Sequence, residues 1–286
     1  MNDATRFNRP EKPTWCPGCG DFGIQTAIKK ALLKLNLEPH QVAIASGIGC
    51  SGKMTQWVHT YGFHGLHGRA VPVALGIKLA NHDLTVLAVG GDGDGYSEGT
   101  NHFIHACRRN VDVTYIVHNN GVFGLTTGQI SPTGPQGFKS PTTPQGALER
   151  PLNPLALAIV SGANFVARGF SGDPEMLAEL IAAGVAHKGF SLIDVFQVCA
   201  SFFPARSFQW YKEHTYDLIT DPNHNPADRD KALKAALQTA DRMPLGIFYR
   251  GDAPAHEDGL PQLAQGPLVQ RDISNVSIAS LMEELV

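Results

Sequence analysis

Two glycine-flanked segments carry groups suited to a hard cation: Gly90-Gly91-Asp92-Gly93-Asp94-Gly95 and Asn119-Asn120. Each follows an apolar run, 84–89 and 113–118, that reads as a buried strand. In open α/β sheets, ligands sit at the carboxyl ends of strands. A carboxylate and an amide oxygen from two such ends can share one Mg²⁺, which takes oxygen ligands and leaves positions for phosphate oxygens. Glycines let the backbone approach a diphosphate closely, and a helix N-terminus behind them favours its charge. A dinucleotide fingerprint would need G-x-G-x-x-G opening a helix and an acidic residue about 20 positions on, which GGDGDG does not supply.

Four of the five cysteines also lie in loops. Cys16 and Cys19 are in WCPGCGDFG, Cys50 in GIGCSGK after the apolar run 42–46, and Cys199 in VCASFF after the run 191–196. The CPGC pair alone suits a redox dithiol, half of a zinc site or half of an iron–sulfur site. A thioredoxin-like dithiol would follow a strand, and none precedes Cys16. The three segments can meet at one edge of a sheet, where four thiolates suit zinc or a [4Fe–4S] cluster; spacing does not choose between them. Cys107, within a helical stretch, reads as an inert core thiol. Lys53, three residues after Cys50, offers a cation to an anionic substrate or to the thiolates. His59, His64 and His67 share a loop with Arg69, as proton relays, diphosphate contacts or hydrogen-bonded structural histidines.

The elements that must position these groups alternate. Helices are expected over 21–35, 71–80, 98–109 and 155–162, and from Asp173-Pro174 to about His187. Strands are expected over 42–46, 84–89, 113–118, 164–168 and 191–196. Residues 131–154 are proline-rich and aperiodic, an ordered loop over the site or a lid. Further on, Asn225-Pro226 is expected to open a helix running to about Asp241, followed by a last strand, PLGIFYR, and an acidic amphipathic tail. Strands that are apolar throughout, alternating with helices, predict an α/β fold: a mostly parallel sheet with helices on both faces. The expected division is a binding domain over 1–200 and a C-terminal extension over 201–286 in contact with another subunit.

At 286 residues and 43% hydrophobic, the chain can bury a sizeable core, which excludes a disordered protein. A net charge of −3 suggests neither nucleic acid nor an anionic membrane as a partner. Five cysteines are too few for a disulfide scaffold at this length. No apolar run approaches the roughly 18 residues of a membrane span, and the polar start MNDATRFNRPEKPTW lacks a signal-peptide core, so a cytoplasmic location is expected.

Taken in order, WCPGCGDFG, SGIGCSGK, HGRA, GGDGDG, NNGVFGLTTGQISPT and VCASFF resemble the β subunit of 2-oxoacid:ferredoxin oxidoreductases, over roughly residues 13–200. GDG followed after about 25 residues by NN is the signature of thiamine-diphosphate enzymes. The resemblance implies the diphosphate-binding half of the thiamine-diphosphate fold, with Asp92, Asn120 and the Val122 carbonyl as Mg²⁺ ligands. It implies Cys16, Cys19, Cys50 and Cys199 as ligands of a [4Fe–4S] cluster. Asp21 matches an acidic position that approaches the cofactor, and Leu125 a position lining the thiazolium and substrate pocket. Ile48, Gly49, Cys50, Gly91, Gly93, Asp94, Gly124 and Thr126 are the further expected cofactor contacts; Lys53, Leu125 and His67 are the residues expected to act on substrate. Many relatives carry Asp where this chain has Asn119.

The implied activity is oxidative decarboxylation of a 2-oxoacid, with the acyl group passed to coenzyme A and electrons leaving through the cluster to ferredoxin, or the reverse as a CO₂-fixing synthase. WCPGCGDFGI, SGIGCSGK and TYGFHGLHGRAVPVALGIKLAN look closest to the 2-oxoglutarate branch, with pyruvate second. No second thiamine domain and no C-x₂-C-x₂-C run is read, so an α subunit carrying the pyrimidine-binding half and the substrate-carboxylate arginines is expected, as a heterodimer or (αβ)₂. Two other classes stay open: a non-redox thiamine decarboxylase or synthase subunit whose cysteines bind zinc or nothing, and a non-catalytic electron-transfer module.

Overall fold

The computed structural model describes residues 5–238, 242–274 and 276–284. Its strands are β1 (Val42–Ser46), β2 (Tyr61–His64), β3 (Thr85–Gly91), β4 (Thr114–Asn119), β5 (Val122–Phe123), β6 (Gln129–Ile130), β7 (Phe165–Phe170), β8 (Ser191–Phe196), β9 (Thr215–Asp217) and β10 (Met243–Arg250). Eight of them form one sheet in the order β2-β1-β3-β4-β8-β7-β10-β9, and β5 and β6 form a small hairpin. Neighbours in the large sheet run parallel, except that β10 is antiparallel to β7.

The helices are α1 (Asp21–Lys34), α2 (Met54–Trp57), α3 (Ala70–Ala80), α4 (Thr100–Arg109), α5 (Pro154–Val160), α6 (Pro174–Ala186), α7 (Phe208–His214), α8 (Arg229–Ala236) and α9 (Ala279–Glu283). Along β3, Leu87 and Val89 face one layer and Val86 and Ala88 the other, because strand side chains alternate. The first layer is α1 and α6, whose Ile24, Ile28, Leu177 and Ile181 recur at helical spacing. The second is α3, α4, α5 and α8, centred on Phe103 and Leu155. Both faces of the central strands are thus covered, which is why β1, β4 and β8 are buried at every position.

Start signals act where expected on α6: the Asp173 carboxylate accepts from Met176 N at 3.0 Å and Pro174 opens the helix. They fail at Asn225-Pro226. Asn225 Oδ1 accepts from Ala227 N in a local turn, and the Pro226 carbonyl accepts from Arg250 N, so the pair is tied to the end of β10. The helix begins three residues later, with Asp228 accepting from Asp230 N and Lys231 N; it ends at Ala236, and the expected end at Asp241 lies outside the described residues. The expected helix over 98–109 starts at Thr100, after a π-turn over Asp94–Glu98. The glycine- and histidine-rich stretch read as a loop contains β2, a parallel edge strand exposed at all four positions, so burial left no apolar pattern to read. Residues after 200 contribute β9 and β10 to the same sheet.

Candidate active site

Four adjacent parallel strands, β1, β3, β4 and β8, end on the same side of the sheet, with Gly91 beside His118 and Asn119 beside Phe196. The loops they release carry Cys50, Asp92, Asn120 and Cys199. The CPGCG segment joins them: Gly20 N donates to the Val198 carbonyl at 2.9 Å. One cleft results. Its wall contains every expected cofactor contact, namely Asp21, Ile48, Gly49, Cys50, Gly91, Asp92, Gly93, Asp94, Asn120, Val122, Gly124, Leu125 and Thr126, together with His67.

Asp92 is 1% exposed. Its Oδ2 accepts from Gly121 N at 2.9 Å, from Thr133 Oγ1 at 2.5 Å and from Ser131 Oγ. Burial pushes its carboxyl upward while these three donors oppose the shift. A buried carboxylate that lines the cleft, with one oxygen held this firmly, is an arrangement a cation would compensate. Asn120, at the neighbouring strand end, accepts from Val122 N at 2.9 Å and donates to Gln197 Oε1 at 2.5 Å. Gly49, at φ +110°, offers a bare backbone: a Cβ there would meet nothing within 4 Å.

Asp94 ties three loops together. Its Oδ1 accepts from Ile48 N at 3.0 Å and Gly68 N at 2.8 Å. His67 Nδ1 lies 3.1 Å from the same oxygen, off the axis of a hydrogen bond. Asp94 Oδ2 is buried without a partner, and burial pushes this carboxyl up as well.

Asn119 has a definite part. Its Nδ2 donates to Asp194 Oδ1 at 3.0 Å, and its Oδ1 accepts from Thr133 Oγ1 at 2.8 Å. Asp194 is fully buried and also receives Arg168 Nε at 2.9 Å and Tyr96 OH at 3.0 Å. A carboxylate at position 119 could not donate to Asp194 and would repel it. The amide here is therefore matched to Asp194.

The thiols border the cleft. A Cβ on Gly124 would stand 3.5 Å from Cys199 Sγ and 3.9 Å from Cys50 Sγ. Cys19 Sγ donates to Asp21 Oδ2 at 3.4 Å and receives Gln197 Nε2 at 3.2 Å, while Trp15 Nε1 fixes the Cys50 carbonyl at 2.8 Å. Burial pushes the Cys50 thiol up to about 11, and the charges of Asp21, Cys199 and Cys16 nearby add to it, with Lys53 opposing. Cys19 and Cys199 are raised too, burial first. Among the described residues no three His, Cys, Asp or Glu side chains converge on one ion. Cys107 is fully buried among Phe103, Ala106 and Tyr115, as the helical pattern implied.

Lys53 stands on a short 3₁₀ turn beside Cys50, outside the cleft wall. His59 and His64 are likewise absent from that wall; the His59 ring nitrogen meets the Arg6 carbonyl at 3.1 Å. Sequence reasoning passed over Ser51, His118, Phe123 and Gln197, which line the cleft, and Ser131 and Thr133, which hold Asp92. For the last two a signal existed: the SPT that closes NNGVFGLTTGQISPT, read with that segment but given no role of its own.

A family model described as the C-terminal TPP-binding domain of thiamine pyrophosphate enzymes matches residues 40–195, and one described as the C-terminal part of the pyruvate ferredoxin oxidoreductase β subunit matches residues 199–265. The 2-oxoacid:ferredoxin oxidoreductase subunit beta of Saccharolobus solfataricus is 46% identical over 249 residues, covering 83% of this chain and 82% of that protein. The chain belongs to the 2-oxoacid:ferredoxin oxidoreductase β subunits. The 2-oxoglutarate synthase subunit KorB of Archaeoglobus fulgidus is 44% identical over 82% of this β subunit and 84% of its own length. A solved structure of 2-oxoglutarate:ferredoxin oxidoreductase from Magnetococcus marinus, with 2-oxoglutarate, coenzyme A and succinyl-CoA bound, matches with a TM-score of 0.91 at 35% identity, over 99% of this chain and 96% of that one. The mostly parallel sheet with helices on both faces is thus the thiamine-enzyme fold, and GGDGDG and NN stand within the matched domain. Among the described residues, no helix is long and apolar enough to cross a membrane.

Proposed function

We propose that this β subunit, joined to an α subunit, oxidatively decarboxylates 2-oxoglutarate. In the balanced reaction, 2-oxoglutarate, coenzyme A and two oxidised one-electron ferredoxins give succinyl-CoA, CO₂, a proton and two reduced ferredoxins. The observation that carries this is the nearness of Gly124, on the loop after Asn120, to two thiols: a Cβ built there would meet Cys199 Sγ at 3.5 Å and Cys50 Sγ at 3.9 Å. A thiamine electron source and a cluster electron exit would then share one wall.

The donor set fits the groups this chemistry needs. Asp92, Asn120 and the Val122 carbonyl are hard oxygen donors for Mg²⁺ at two adjacent strand ends. Gly49 and Gly91, with Asp94 bracing the neighbouring loops, leave bare backbone for a diphosphate, while Gly93 packs closely against the Phe123 ring. Cys16, Cys19, Cys50 and Cys199 suit a [4Fe–4S] cluster, whose irons each take a separate thiolate. Zinc also accepts four thiolates, and iron and sulfide analysis separates the two. Thiamine diphosphate, when bound, supplies an electron sink for loss of CO₂, and the cluster supplies one-electron steps. The protein's part is orientation. Leu125, 48% exposed at the cleft mouth, shapes the substrate side. His67 lines it, Asp21 braces its wall through Cys19 and His118, and Lys53 places a cation beside Cys50 for substrate charge or thiolate charge.

The α subunit would bring the pyrimidine-binding half and the arginines for the substrate carboxylates, in a heterodimer or (αβ)₂. The cofactor site would lie within residues 1–200, and residues 201–286, which also complete the same sheet, would add contacts to α. The choice of 2-oxoglutarate over pyruvate is supported by the KorB relatives and by the ligands of the Magnetococcus marinus enzyme. Five unpaired cysteines suit a reducing, cytoplasmic setting.

The test is anaerobic purification of the αβ complex, followed by iron, sulfide and thiamine analysis and by coenzyme-A-dependent ferredoxin reduction with each acid. A brown protein with about four irons per β chain and a higher kcat/KM for 2-oxoglutarate is expected. A colourless preparation would refute the cluster, and a preference for pyruvate would refute the substrate.

A further inference from the structure

Gln197, the first residue beyond β8, bonds both Asn120, an expected cation ligand, and the Cys19 thiol. It is 2% exposed, and its backbone N–H donates to the Asn119 carbonyl at 2.9 Å. Its Nε2 donates to the Val198 carbonyl at 2.8 Å and to Cys19 Sγ at 3.2 Å. Its Oε1 accepts from Asn120 Nδ2 at 2.5 Å.

Chemistry fixes this orientation at both ends. The Val198 carbonyl can only accept, so the amide nitrogen of Gln197 must face it. Asn120 is held likewise, because the Val122 N–H donates to its Oδ1 and leaves its Nδ2 for Gln197. The result is a directional chain: Val122 N–H to Asn120, Asn120 N–H to Gln197, Gln197 N–H to the Cys19 sulfur. Each donor in such a chain is polarised by the one before it, and in a buried setting that strengthens the last bond. That last bond falls on a sulfur whose neighbour, Asp21, is a carboxylate.

We propose that Gln197 is a positioning residue that orients Asn120 toward the cation and, through its hydrogen bond to Cys19 Sγ, holds the reduction potential of the cluster up. This rests on the cluster and Mg²⁺ reading above. Hydrogen bonds to cluster sulfurs are among the terms that set such potentials, and partners that orient a metal ligand are worth 10–100-fold in metal affinity. Because one amide serves both groups, the coupling is reciprocal: Mg²⁺ and thiamine diphosphate bound at Asn120 shift the potential, and the oxidation state of the cluster shifts their affinity.

The experiment compares the anaerobically purified αβ complex with its Gln197→Met and Gln197→Glu variants. Midpoint potentials are read by EPR-monitored redox titration, and Mg²⁺–thiamine diphosphate affinity by calorimetry. Both variants are expected to have a more negative midpoint, Gln197→Glu the more so because its carboxylate adds charge beside Cys19. Affinity is expected to fall about 10–100-fold in Gln197→Met and less in Gln197→Glu, which keeps an acceptor for Asn120. If Gln197→Met does not fold, Gln197→Glu decides on the same two readings. Cluster-loaded variants with an unmoved midpoint would overturn the inference alone; a parent complex without iron would overturn the cluster reading and the inference with it.

Discussion

Asp21 and His118, 97 residues apart, meet at 2.6 Å between Oδ1 and Nδ1, both sealed from solvent. The other oxygen of Asp21 receives Cys19 Sγ, and the other ring nitrogen of His118 is buried without a partner. The pair joins the CPGCG loop to the end of β4 within the cleft wall. Replacing His118 by Phe keeps the bulk of the ring and strands Asp21 Oδ1. The expected loss is about 1–3 kcal/mol, seen as a lower urea midpoint at an unchanged slope. An unaltered midpoint would show that the pair does not hold the loop.

Thr133→Val removes the single hydroxyl donor that Asp92 and Asn119 share, while keeping the side-chain volume. The carboxylate should lose its fixed aim, weakening Mg²⁺–thiamine diphosphate binding about 10–100-fold. Calorimetry on the αβ complex reads this, with Asp92→Ala as the variant expected to retain no cofactor. Binding at the parent affinity in Thr133→Val would remove Thr133 from the site.

Asn119→Asp sets a carboxylate against fully buried Asp194 and ends the donation to Oδ1. A loss on the order of 3 kcal/mol is expected from an uncompensated buried charge. The double variant Asn119→Asp with Asp194→Asn should recover much of it, which a double-mutant cycle measures. Additive losses would contradict the matching of these two side chains.

Gly47→Ala would place a Cβ 1.9 Å from Asp94 Oδ2. Asp94 must then move and give up Ile48 N and Gly68 N, at about 2–3 kcal/mol. Gly76→Ala in α3 is the control. Nothing lies within 4 Å of its Cβ, so the better helix propensity of alanine should leave stability equal or raised by up to about 1 kcal/mol. Thermal unfolding distinguishes the two.

Burial pushes the Cys107 thiol above its ordinary value. A group raised in the folded state contributes stability that is complete at lower pH and is lost as pH climbs past the unfolded value, here about 9. Stability should therefore fall in alkali, and Cys107→Ala should flatten part of that fall. In the cluster-free chain at pH about 8, alkylation should reach exposed Cys16 and spare Cys107 until denaturant is added. Early labelling of Cys107 would contradict its burial.

Much of the site was legible in the chain because its parts are local. A strand end, a glycine run and an Asp or Asn occupy a few consecutive residues, and the periodicities that announce β1, β3, β4 and β8 come from burial on both faces. The four cysteines and the GDG and NN segments could be named from spacing and resemblance. Edge and polar elements were not legible for the same reason: β2 is exposed throughout, and Asn225-Pro226 carries the residues of a helix start while its backbone bonds go to β10. What only the tertiary structure decided are the contacts between segments far apart in sequence. Asp21 finds His118, Ser131 and Thr133 return to Asp92, Asn119 answers Asp194, and Gln197 spans Asn120 and Cys19. A hydrogen bond depends on distances of a few tenths of an ångström and on which group faces which, and packing four strand ends side by side is what sets both.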